Sequence, residues 1–397
     1  MKTTVAAIEF GTSKVVAIIG ELGSDLKGET IGYGVRQYSG YNAEGWICSD
    51  DELKAAIAGS IKDAEAMADV SVRELYVGVP AHRLRVHNAQ AEAEILSASQ
   101  KVTLDDVDSV MVSAVEACAQ SDGVSGFGEI IHQSPAWFKV DGEKTMEPMG
   151  MKGQILSCCA CICVADKLFT QDMRERFSGM GLSVVGFAAP SLGEALMTIP
   201  PQERDLTAVL IDTGYLSTQV MVVQGDAISH IAVLEDGSGF LTAALASELE
   251  LTMAMAEQVK RRLIIAGDKS GTLEVTGPDG GRILFENEHC FNVIEPHLSE
   301  MAAAIKECLE NFGIEIPEKA AYYITGGGLA PMRGAREFLS ARLGYTVKAS
   351  AARPSIPAGV QFASAVGLLE LVFEYVSDNA ASAKGDLLEK LRSIFKK

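Results

Sequence analysis

The sequence predicts an α/β protein built from two similar domains, and two observations support this fold class. Residues 3–14 (TTVAAIEFGTSK) and 206–219 (LTAVLIDTGYLSTQ) read alike, because each is an apolar strand ending in a carboxylate, then one residue, a glycine and small polar residues. A second apolar strand follows each copy directly, and a third follows after a short turn. The repeat distance of 203 residues, from Glu9 to Asp212, indicates an internal duplication. Each domain is expected to have a mixed sheet with helices on its faces.

The composition excludes several classes of protein. The 397 residues contain 34 Lys and Arg against 53 Asp and Glu, a net charge of −19 that argues against sequence-independent binding to nucleic acid. No uncharged apolar run approaches the roughly 18 to 20 residues that a membrane-spanning helix needs. The amino terminus has no apolar segment and cleavage site of the secretory kind. We therefore expect a cytoplasmic protein.

Four of the eight cysteines, Cys158, Cys159, Cys161 and Cys163, fall in a predicted strand at 155–164. Residues three apart in a strand point to opposite faces, so the C-x-x-C spacing of Cys158 and Cys161 does not make a metal-binding pair. No second cysteine pair or nearby histidine completes a zinc set. These cysteines are predicted to be buried, reduced and structural.

Each repeated hairpin has the chemistry of a phosphate-binding turn. A glycine lets the backbone approach a ligand, and the turn amides, with hydroxyls such as Thr12, Ser13 or Ser217, can cradle phosphate oxygens. The carboxylate at each strand end, Glu9 or Asp212, is placed to hold Mg²⁺ through water, as magnesium prefers. Two such hairpins that face each other would hold the phosphates of a nucleotide from both sides.

A third glycine turn completes the pattern. The run Thr325-Gly326-Gly327-Gly328 follows a predicted strand at 321–324 and precedes a helix expected to start near Pro331. A strand, glycines and a helix suit close approach of the backbone to an adenosine. Any one such turn is by itself an ordinary glycine turn. Three in this order are typical of the actin-like ATPase fold of actin, heat-shock ATPases and sugar kinases, which predicts two duplicated α/β domains around a nucleotide cleft.

The segment at 129–156 (EIIHQSPAWFKVDGEKTMEPMGMKGQIL) resembles the subdomain inserted in FtsA, the actin homologue of bacterial cell division. That family carries an H-x-x-P, a V-D-G and a P-x-G-x-x-G run there. In this sequence these are His132 with Pro135, Val140-Asp141-Gly142, and Pro148, Gly150 and Gly153. Further matching motifs, in order over nearly the whole chain, are 9–14 (EFGTSK), Ala256-Glu257 with Lys260, 293–296 (VIEP), 325–327 (TGG) and 365–369 (AVGLL).

The resemblance to the FtsA family implies four subdomains and a tail. Subdomain 1A is expected at 1–81, 166–200 and 357–376, the inserted 1C-type subdomain at 82–165, subdomain 2A at 201–236 and 313–356, subdomain 2B at 237–312, a flexible linker at 377–385 and an amphipathic membrane-targeting helix at 386–397. The family uses subdomain 1C towards neighbouring protomers and later division proteins. Self-association is therefore expected as well.

The resemblance also implies a site for ATP with Mg²⁺. The nucleotide-binding residues that it carries over are Glu9, Gly11, Thr12, Ser13 and Lys14 from the first hairpin, Asp212 and Gly214 from the second, and Glu257, Lys260, Gly326, Gly327 and Gly328 on the adenosine side. Asp212 is assigned to the metal through water. The spacing of Glu257 and Lys260 places both on one face of a predicted helix at 253–263, a pattern that in isolation is typical of a solvated face.

The second hairpin departs from the family pattern D-x-G-G-G-T-x-D. Tyr215 and Leu216 stand where the family has glycines, and Gln219 replaces the second acid. Bulky residues resist the positive φ that a glycine could supply. Ala244 occupies a further aspartate position of the family. We therefore expect nucleotide binding at reduced affinity and ATP hydrolysis that is slow or absent, with no catalytic residue assigned.

The family docks the carboxy-terminal tail of FtsZ, the tubulin-like division protein, on subdomain 2B. The resemblance places this contact on the helix around 293–311, at Glu295, His297 and Glu300. His297 stands where the family often has arginine.

The carboxy terminus predicts an interfacial anchor. Residues 377–385 (SDNAASAKG) are small and polar, and 386–397 (DLLEKLRSIFKK) form an amphipathic pattern that Asp386 can cap. The residues expected at the membrane are Leu387, Leu388, Leu391, Ile394 and Phe395 on the apolar stripe and Lys390, Arg392, Lys396 and Lys397 as cations. A packed terminal helix or a disordered tail is the alternative. FtsA-like proteins end in such a helix, so the resemblance favours the cytoplasmic face of the cell membrane at the division site.

The sequence leaves two other functions open. A pilus-assembly protein of the PilM type has the same core, but it would be expected to lack the tethered basic helix at 386–397. A sugar or metabolite kinase of this fold would need an intact second hairpin and a catalytic aspartate, and Tyr215 with Leu216 argues against it. The preferred hypothesis is an FtsA-like adaptor that binds ATP, self-assembles and tethers FtsZ filaments to the membrane.

Overall fold

The computed structural model describes residues 2–39, 42, 47–120, 122–349, 357 and 359–382. In chain order, its strands are β1 (Thr3–Phe10), β2 (Lys14–Leu22), β3 (Gly28–Gln37), β4 (Glu74–Gly78), β5 (Leu84–Glu94), β6 (Gly128–Val140), β7 (Glu143–Thr145), β8 (Ile155–Asp166), β9 (Ser183–Ala188), β10 (Ala208–Thr213), β11 (Thr218–Gln224), β12 (Ala227–Leu234), β13 (Thr272–Thr276), β14 (Arg282–Glu286), β15 (Ala321–Thr325) and β16 (Val347–Ala349). The helices are α1 (Asp50–Ala68), α2 (Leu104–Ala119), α3 (Asp122–Ser125), α4 (Lys167–Gly179), α5 (Pro190–Thr198), α6 (Pro201–Arg204), α7 (Ser238–Glu248), α8 (Met253–Arg262), α9 (Asn287–Asn311), α10 (Ala335–Leu343) and α11 (Ala363–Ser382), with 3₁₀ turns at Ala81–Arg83 and Val360–Phe362.

Two five-stranded sheets have the same topology, which confirms the predicted duplication. Their strand orders are β3-β2-β1-β4-β9 and β12-β11-β10-β15-β16. In each sheet three strands in antiparallel hairpins are followed by two strands that pair in parallel. Glu9 lies opposite Val16 and Asp212 opposite Gln219, so the two hairpins also share their register. The central strands are buried on both faces, as their continuous apolar sequences require.

A third sheet interrupts the first domain between β4 and β9. Its strand order is β5-β8-β6-β7, and α2 packs on one face of it. Cys158 lies on the face that α2 covers, in the core of this insertion, whereas Cys161 lies on the opposite face and donates its thiol to Asn88 Oδ1 at 3.0 Å. The alternation expected for a strand is therefore confirmed. Cys48 is exposed, and the other seven cysteines are buried.

The second domain carries its own helical and hairpin layer. Helices α7, α8 and α9 pack together on one side of the second sheet and enclose one core with it. The two-stranded β13–β14 sheet contacts α8 and α9. These elements lie within residues 237–312, the range predicted for subdomain 2B. Helix α10 begins at Ala335 and not near Pro331, because Gly334 takes a left-handed conformation (φ 88°) immediately before it.

Helix α11 returns to the first domain and packs on α5 and on the first sheet. Within the described residues, the stretch Val360–Ser377 is long and apolar enough to cross a membrane by length and composition, and half of it is buried inside the protein. Leu368, Leu369 and Val372 belong to the core of the first domain, as expected for the central helix of a globular protein.

The end of α11 corrects the predicted linker. The helix continues through Ser382, so most of the segment predicted as a flexible linker, 377–385, is helical. Alanine has the highest helix propensity, and two alanines at 380 and 381 extend the helix despite the small polar residues around them. The predicted membrane-targeting helix at 386–397 lies outside the described residues.

Candidate functional site

A cavity of about 340 Å³ lies between the two domains, and the turns of both repeated hairpins line it. The first turn, between β1 and β2, closes with a hydrogen bond from Gly11 N to Lys14 O of 2.9 Å. The second turn, between β10 and β11, closes with the equivalent bond from Gly214 N to Ser217 O of 2.8 Å. The predicted residues Gly11, Thr12, Ser13 and Gly214 therefore meet at one cleft, as two facing hairpins should.

The two hairpins touch each other directly across the cleft. The amide of Leu216 donates a hydrogen bond of 3.1 Å to Thr12 Oγ1. This bond uses an amide of the second turn and a hydroxyl of the first, both of which could otherwise contact a phosphate group. A phosphate between the hairpins would have to replace it.

Lys14 lies at the floor of the cleft. Its Nζ donates to the carbonyl oxygen of Gln361 and lies 4.4 Å from the centroid of the Phe362 ring. Burial lowers the pKa of Lys14, and the neighbouring Glu9 and Asp212 carboxyls oppose that shift. The segment that leads into α11 thus holds the lysine of the first hairpin beside the cavity.

Two predicted carboxyls stand at the ends of β1 and β10 and line the cavity. Burial raises the pKa of Glu9 to about 7, against the opposing charge of Lys14. Burial raises the pKa of Asp212 as well. Gln219 donates from Nε2 to Asp212 Oδ2 at 2.9 Å, so the amide that replaces the family's second acid fixes Asp212 in place.

The substituted second hairpin is closed by contacts with α7. Gly239 N donates to Tyr215 O at 2.6 Å, and Ser238 N donates to Gly214 O at 3.0 Å. Gly214, Tyr215 and Leu216 all have negative φ, so the sequence argument from positive φ does not apply. The predicted weakening would have a different physical cause: Tyr215 lines the cavity itself, and the Leu216 amide is already bonded to Thr12.

Glu257 and Lys260 do not form a solvated helix face, because a buried Lys260 pairs with a half-buried Glu257. Lys260 is 2% exposed, and its Nζ lies 2.7 Å from Glu257 Oε2. It also donates to the carbonyl and the hydroxyl of Ser238, at 3.0 and 3.1 Å. Burial opposes the charge of Glu257, yet Lys260, with Arg261 and Thr242, lowers the pKa of this carboxyl. Glu257 lines the cavity, and Lys260 stands behind it and holds it in position.

The glycine run after β15 lies at the other side of the cavity. Gly326 has φ +89°, and a Cβ there would come within 2.5 Å of Thr213 O. Gly328 N donates to Thr213 O at 2.7 Å. Gly326 and Gly327 line the cavity, whereas Gly328 is not one of its lining residues and joins the segment after β15 to the end of β10. The predicted close approach of backbone to ligand is therefore possible at the first two glycines.

Several cavity residues were not predicted. Glu194 and Ser191 on α5, Gln361, Phe362 and Ser364 before and at the start of α11, and Arg261 on α8 all line the cavity. Glu194 is the single acid in the otherwise apolar and small helix sequence PSLGEALMT, which was a readable signal. The residues around 361 gave no such signal, because their place in the cleft depends on how α11 packs.

The three predicted partner residues lie on α9, away from the cleft. Glu295 forms an ion pair with Arg342 of α10 and accepts a hydrogen bond of 2.8 Å from Ser299 Oγ. His297 and Glu300 are exposed. Pro296 stands inside the helix between Glu295 and His297. The structure therefore offers His297 and Glu300 to solvent, while Glu295 is bound within the protein.

The polar groups that line the cleft fit a nucleotide with a divalent ion. Hairpin amides and hydroxyls suit phosphate, and Asp212 offers a carboxylate beside them. Glu194 Oε2 is buried without a hydrogen-bond partner in the described structure, and the residue lines the same cavity. In the part of the chain that the structure describes, no three His, Cys, Asp or Glu side chains converge to hold a metal directly.

Comparisons with known proteins concern the inserted domain and the chain as a whole. The profile of a family described as the SHS2 domain inserted in FtsA matches residues 81–164, which carry the third sheet. FtsA of Neisseria meningitidis serogroup B is 25% identical over 378 residues, 92% of this chain and 89% of that protein. FtsA of Bacillus subtilis is 23% identical over 372 residues, 92% of this chain and 82% of that protein.

Solved structures show the same fold at low sequence identity. A PilM–PilN type IV pilus biogenesis complex matches with a TM-score of 0.58 and 18% identity, covering 93% of this chain and 98% of that chain. MreB5 of Spiroplasma citri bound to AMPPNP matches with a TM-score of 0.55 and 11% identity, covering 96% and 98%. These likenesses confirm the actin-like fold. The inserted SHS2 domain and the similarity to FtsA cell-division proteins over most of the length support the resemblance to FtsA.

Proposed function

We propose that this protein is a nucleotide-dependent adaptor that tethers FtsZ filaments to the cytoplasmic face of the membrane at the division site. The observation that carries the proposal is the pair of facing hairpins at one interdomain cavity, combined with the inserted domain that matches FtsA. ATP with Mg²⁺ would lie in this cavity, with its phosphates between Gly11–Lys14 and Gly214. The net charge of −19 argues against a nucleic-acid partner.

We propose that the nucleotide is a ligand that favours one relative arrangement of the two domains, and that it is not rapidly hydrolysed. When bound, Mg²⁺ would neutralise phosphate charge beside Asp212. Lys14 would add a point charge to the same phosphates, and Glu257 would contact the nucleoside side of the cleft. The Thr12–Leu216 hydrogen bond competes with the phosphates for the same donors. Reduced affinity follows from that competition. Slow or absent hydrolysis is proposed on a separate ground, since no residue in the sequence resembles the positioned base or water-orienting residue of a fast phosphotransferase.

Membrane residence is proposed to depend on self-assembly. Each cation of the segment 386–397 contributes roughly 1 kcal/mol near an anionic leaflet. The five apolar residues add a fraction of the roughly 1.5–3 kcal/mol that full burial of each would give, and ordering the segment offsets part of the gain. One tail is thus a marginal anchor. Several tails on one polymer bind with avidity, because each later insertion is effectively intramolecular. Subdomain 1C is the proposed surface for neighbouring protomers and later division proteins.

The FtsZ contact is proposed on α9, at the exposed His297 and Glu300. Replacing both residues by alanine is expected to weaken binding of a labelled FtsZ carboxy-terminal peptide at least fivefold in a fluorescence anisotropy titration. Neither side chain is buried, so folding stability should stay within about 0.5 kcal/mol of wild type. Glu310→Ala, an exposed position in the last turn of the same helix, is the matched control and should bind as wild type does. Equal affinity of wild type and the double variant would exclude this surface.

A further inference from the structure

Glu194 on α5 has an unusual environment for a carboxyl group. Its side chain is 1% exposed and lines the interdomain cavity. Oε1 accepts a hydrogen bond of 2.9 Å from Thr325 Oγ1, while Oε2 has no partner in the described structure. A buried polar atom without a partner is costly, and buried polar groups in folded proteins nearly always have one. A partner from outside the chain would therefore stabilise this side chain.

The charges around Glu194 have the sign that attracts a cation. Burial raises the pKa of Glu194 well above its usual value, and the neighbouring Asp212 and Glu9 carboxyls raise it further. Lys14 is the lysine that opposes this cluster, and it also bonds to the Gln361 carbonyl. Thr325, which holds Oε1, lies directly opposite Asp212 in the parallel β10–β15 pair. Glu194 and Asp212 thus approach the cavity from adjacent elements.

Helix α5 also contacts the altered second hairpin through Gln219. Gln219 occupies the position of the family's second acid and turns its amide towards Asp212 Oδ2. Its Oε1 accepts a hydrogen bond of 2.7 Å from Ser191 Oγ. Ser191 and Glu194 lie three residues apart on one face of α5, so the helix fixes the substituted amide with one residue and supplies a carboxyl with the other.

We propose that Glu194 is an additional ligand for a divalent cation, and that it acts with Asp212 and through water in place of the acid that the second hairpin lacks. Magnesium usually keeps several of its waters and takes one or two carboxylates from the protein. This requirement agrees with the absence, among the described residues, of three acids close enough for direct ligation. The inference rests on the proposed nucleotide cleft, but it concerns the cation alone.

The other reading is a neutral carboxylic acid that is only packed. A protonated Oε2 would still be a donor without an acceptor within the described structure. The two alternatives differ in one property, the effect of Glu194 on cation affinity. If Glu194 is only a packed neutral acid, replacing it should not change the affinity for a cation. That property can be measured without nucleotide.

The test uses the full-length protein, stripped of metal with a chelator and titrated with Mn²⁺ in the absence of nucleotide. Electron paramagnetic resonance of free Mn²⁺ gives the affinity. Wild type is expected to bind one ion, and Glu194→Gln to bind it at least tenfold more weakly. The substitution keeps an acceptor for Thr325, so the helix position is preserved. Glu337→Gln, an exposed acid on α10, is the control and should bind as wild type.

Two results would overturn the inference: equal Mn²⁺ affinity of wild type and Glu194→Gln, or no Mn²⁺ binding by wild type. Thermal unfolding of each variant without metal shows whether a loss of binding reflects misfolding. Binding of a fluorescent ATP analogue in excess chelator is measured separately. If the analogue binds, and Mn²⁺ affinity is the same for wild type and Glu194→Gln, this inference fails and the proposed nucleotide site stands. If the analogue does not bind with or without cation, the proposed site itself fails.

Discussion

Between pH 5 and pH 8, the free energy of unfolding of the wild type is expected to fall by roughly 2 to 3 kcal/mol relative to that of a Glu9→Gln variant. Burial raises the pKa of Glu9 from 4.5 to about 7 in the folded protein. Between these values the folded protein holds a proton that the unfolded chain has released. The stabilising contribution is therefore complete below the unfolded pKa and is lost as the pH rises through about 7. About two pH units at 1.36 kcal/mol each give the stated difference.

The measurement is urea unfolding of both proteins, followed by circular dichroism at several pH values in chelator. Glutamine keeps the size of Glu9 and an acceptor for the Ser364 hydroxyl, which lies 3.4 Å from Glu9 Oε1. Burial lowers the pKa of His132 to about 4, so this group acts in the opposite direction, but it is present in both proteins and cancels. A difference in stability that stays constant from pH 5 to 8 would contradict the assignment.

Restoring glycines at 215 and 216 is expected to tighten nucleotide binding about tenfold, which corresponds to 1.4 kcal/mol. Tyr215 lies against the α7 side of the cleft, with its ring 5.4 Å from Lys260 Nζ, and it lines the cavity that a nucleotide would enter. Removing both side chains opens that space. The glycines also let the turn move, so that the backbone amide of residue 216 can leave its hydrogen bond with Thr12 Oγ1.

The double variant Tyr215→Gly with Leu216→Gly is titrated with ATP and Mg²⁺ in isothermal calorimetry. Tyr215→Phe, which keeps the ring, is the matched control and is expected to bind as wild type. Glycine costs each turn position up to about 1 kcal/mol of folding stability, so thermal unfolding is recorded in parallel. A double variant that remains folded and binds no more tightly would show that the side chains do not limit affinity. Micromolar binding of ATP with Mg²⁺ by the wild type would also contradict a weakened nucleotide site.

The sequence predicted the architecture because the relevant signals are local. Both hairpins are defined by an apolar strand, a carboxylate and a glycine, and the same pattern recurs 203 residues later. The register of β1 with β2 and of β10 with β11 follows from the length of the turn. The facing arrangement of Gly11 and Gly214 then follows from the duplication.

The charged residues of the cleft were harder to predict, because helical spacing does not tell which face is buried. Glu257 and Lys260 were placed on one face correctly, but only the packing of α8 against Ser238 shows that Lys260 is enclosed. Glu194 depends on a close crossing of α5 and α11, where a Cβ on Gly193 or Gly367 would collide with the backbone of the other helix. Contacts between residues so distant in sequence leave no local pattern.

Sedimentation with anionic liposomes tests the tether most directly. Full-length protein and a variant that ends at Gly385 are each mixed with liposomes and the FtsZ carboxy-terminal peptide. We expect the full-length protein to sediment and to carry the peptide with it, while the shortened protein and its peptide stay in solution. If both proteins stay in solution, the membrane tether is contradicted, although the actin-like fold stands. If both sediment equally, residues 386–397 are not the anchor.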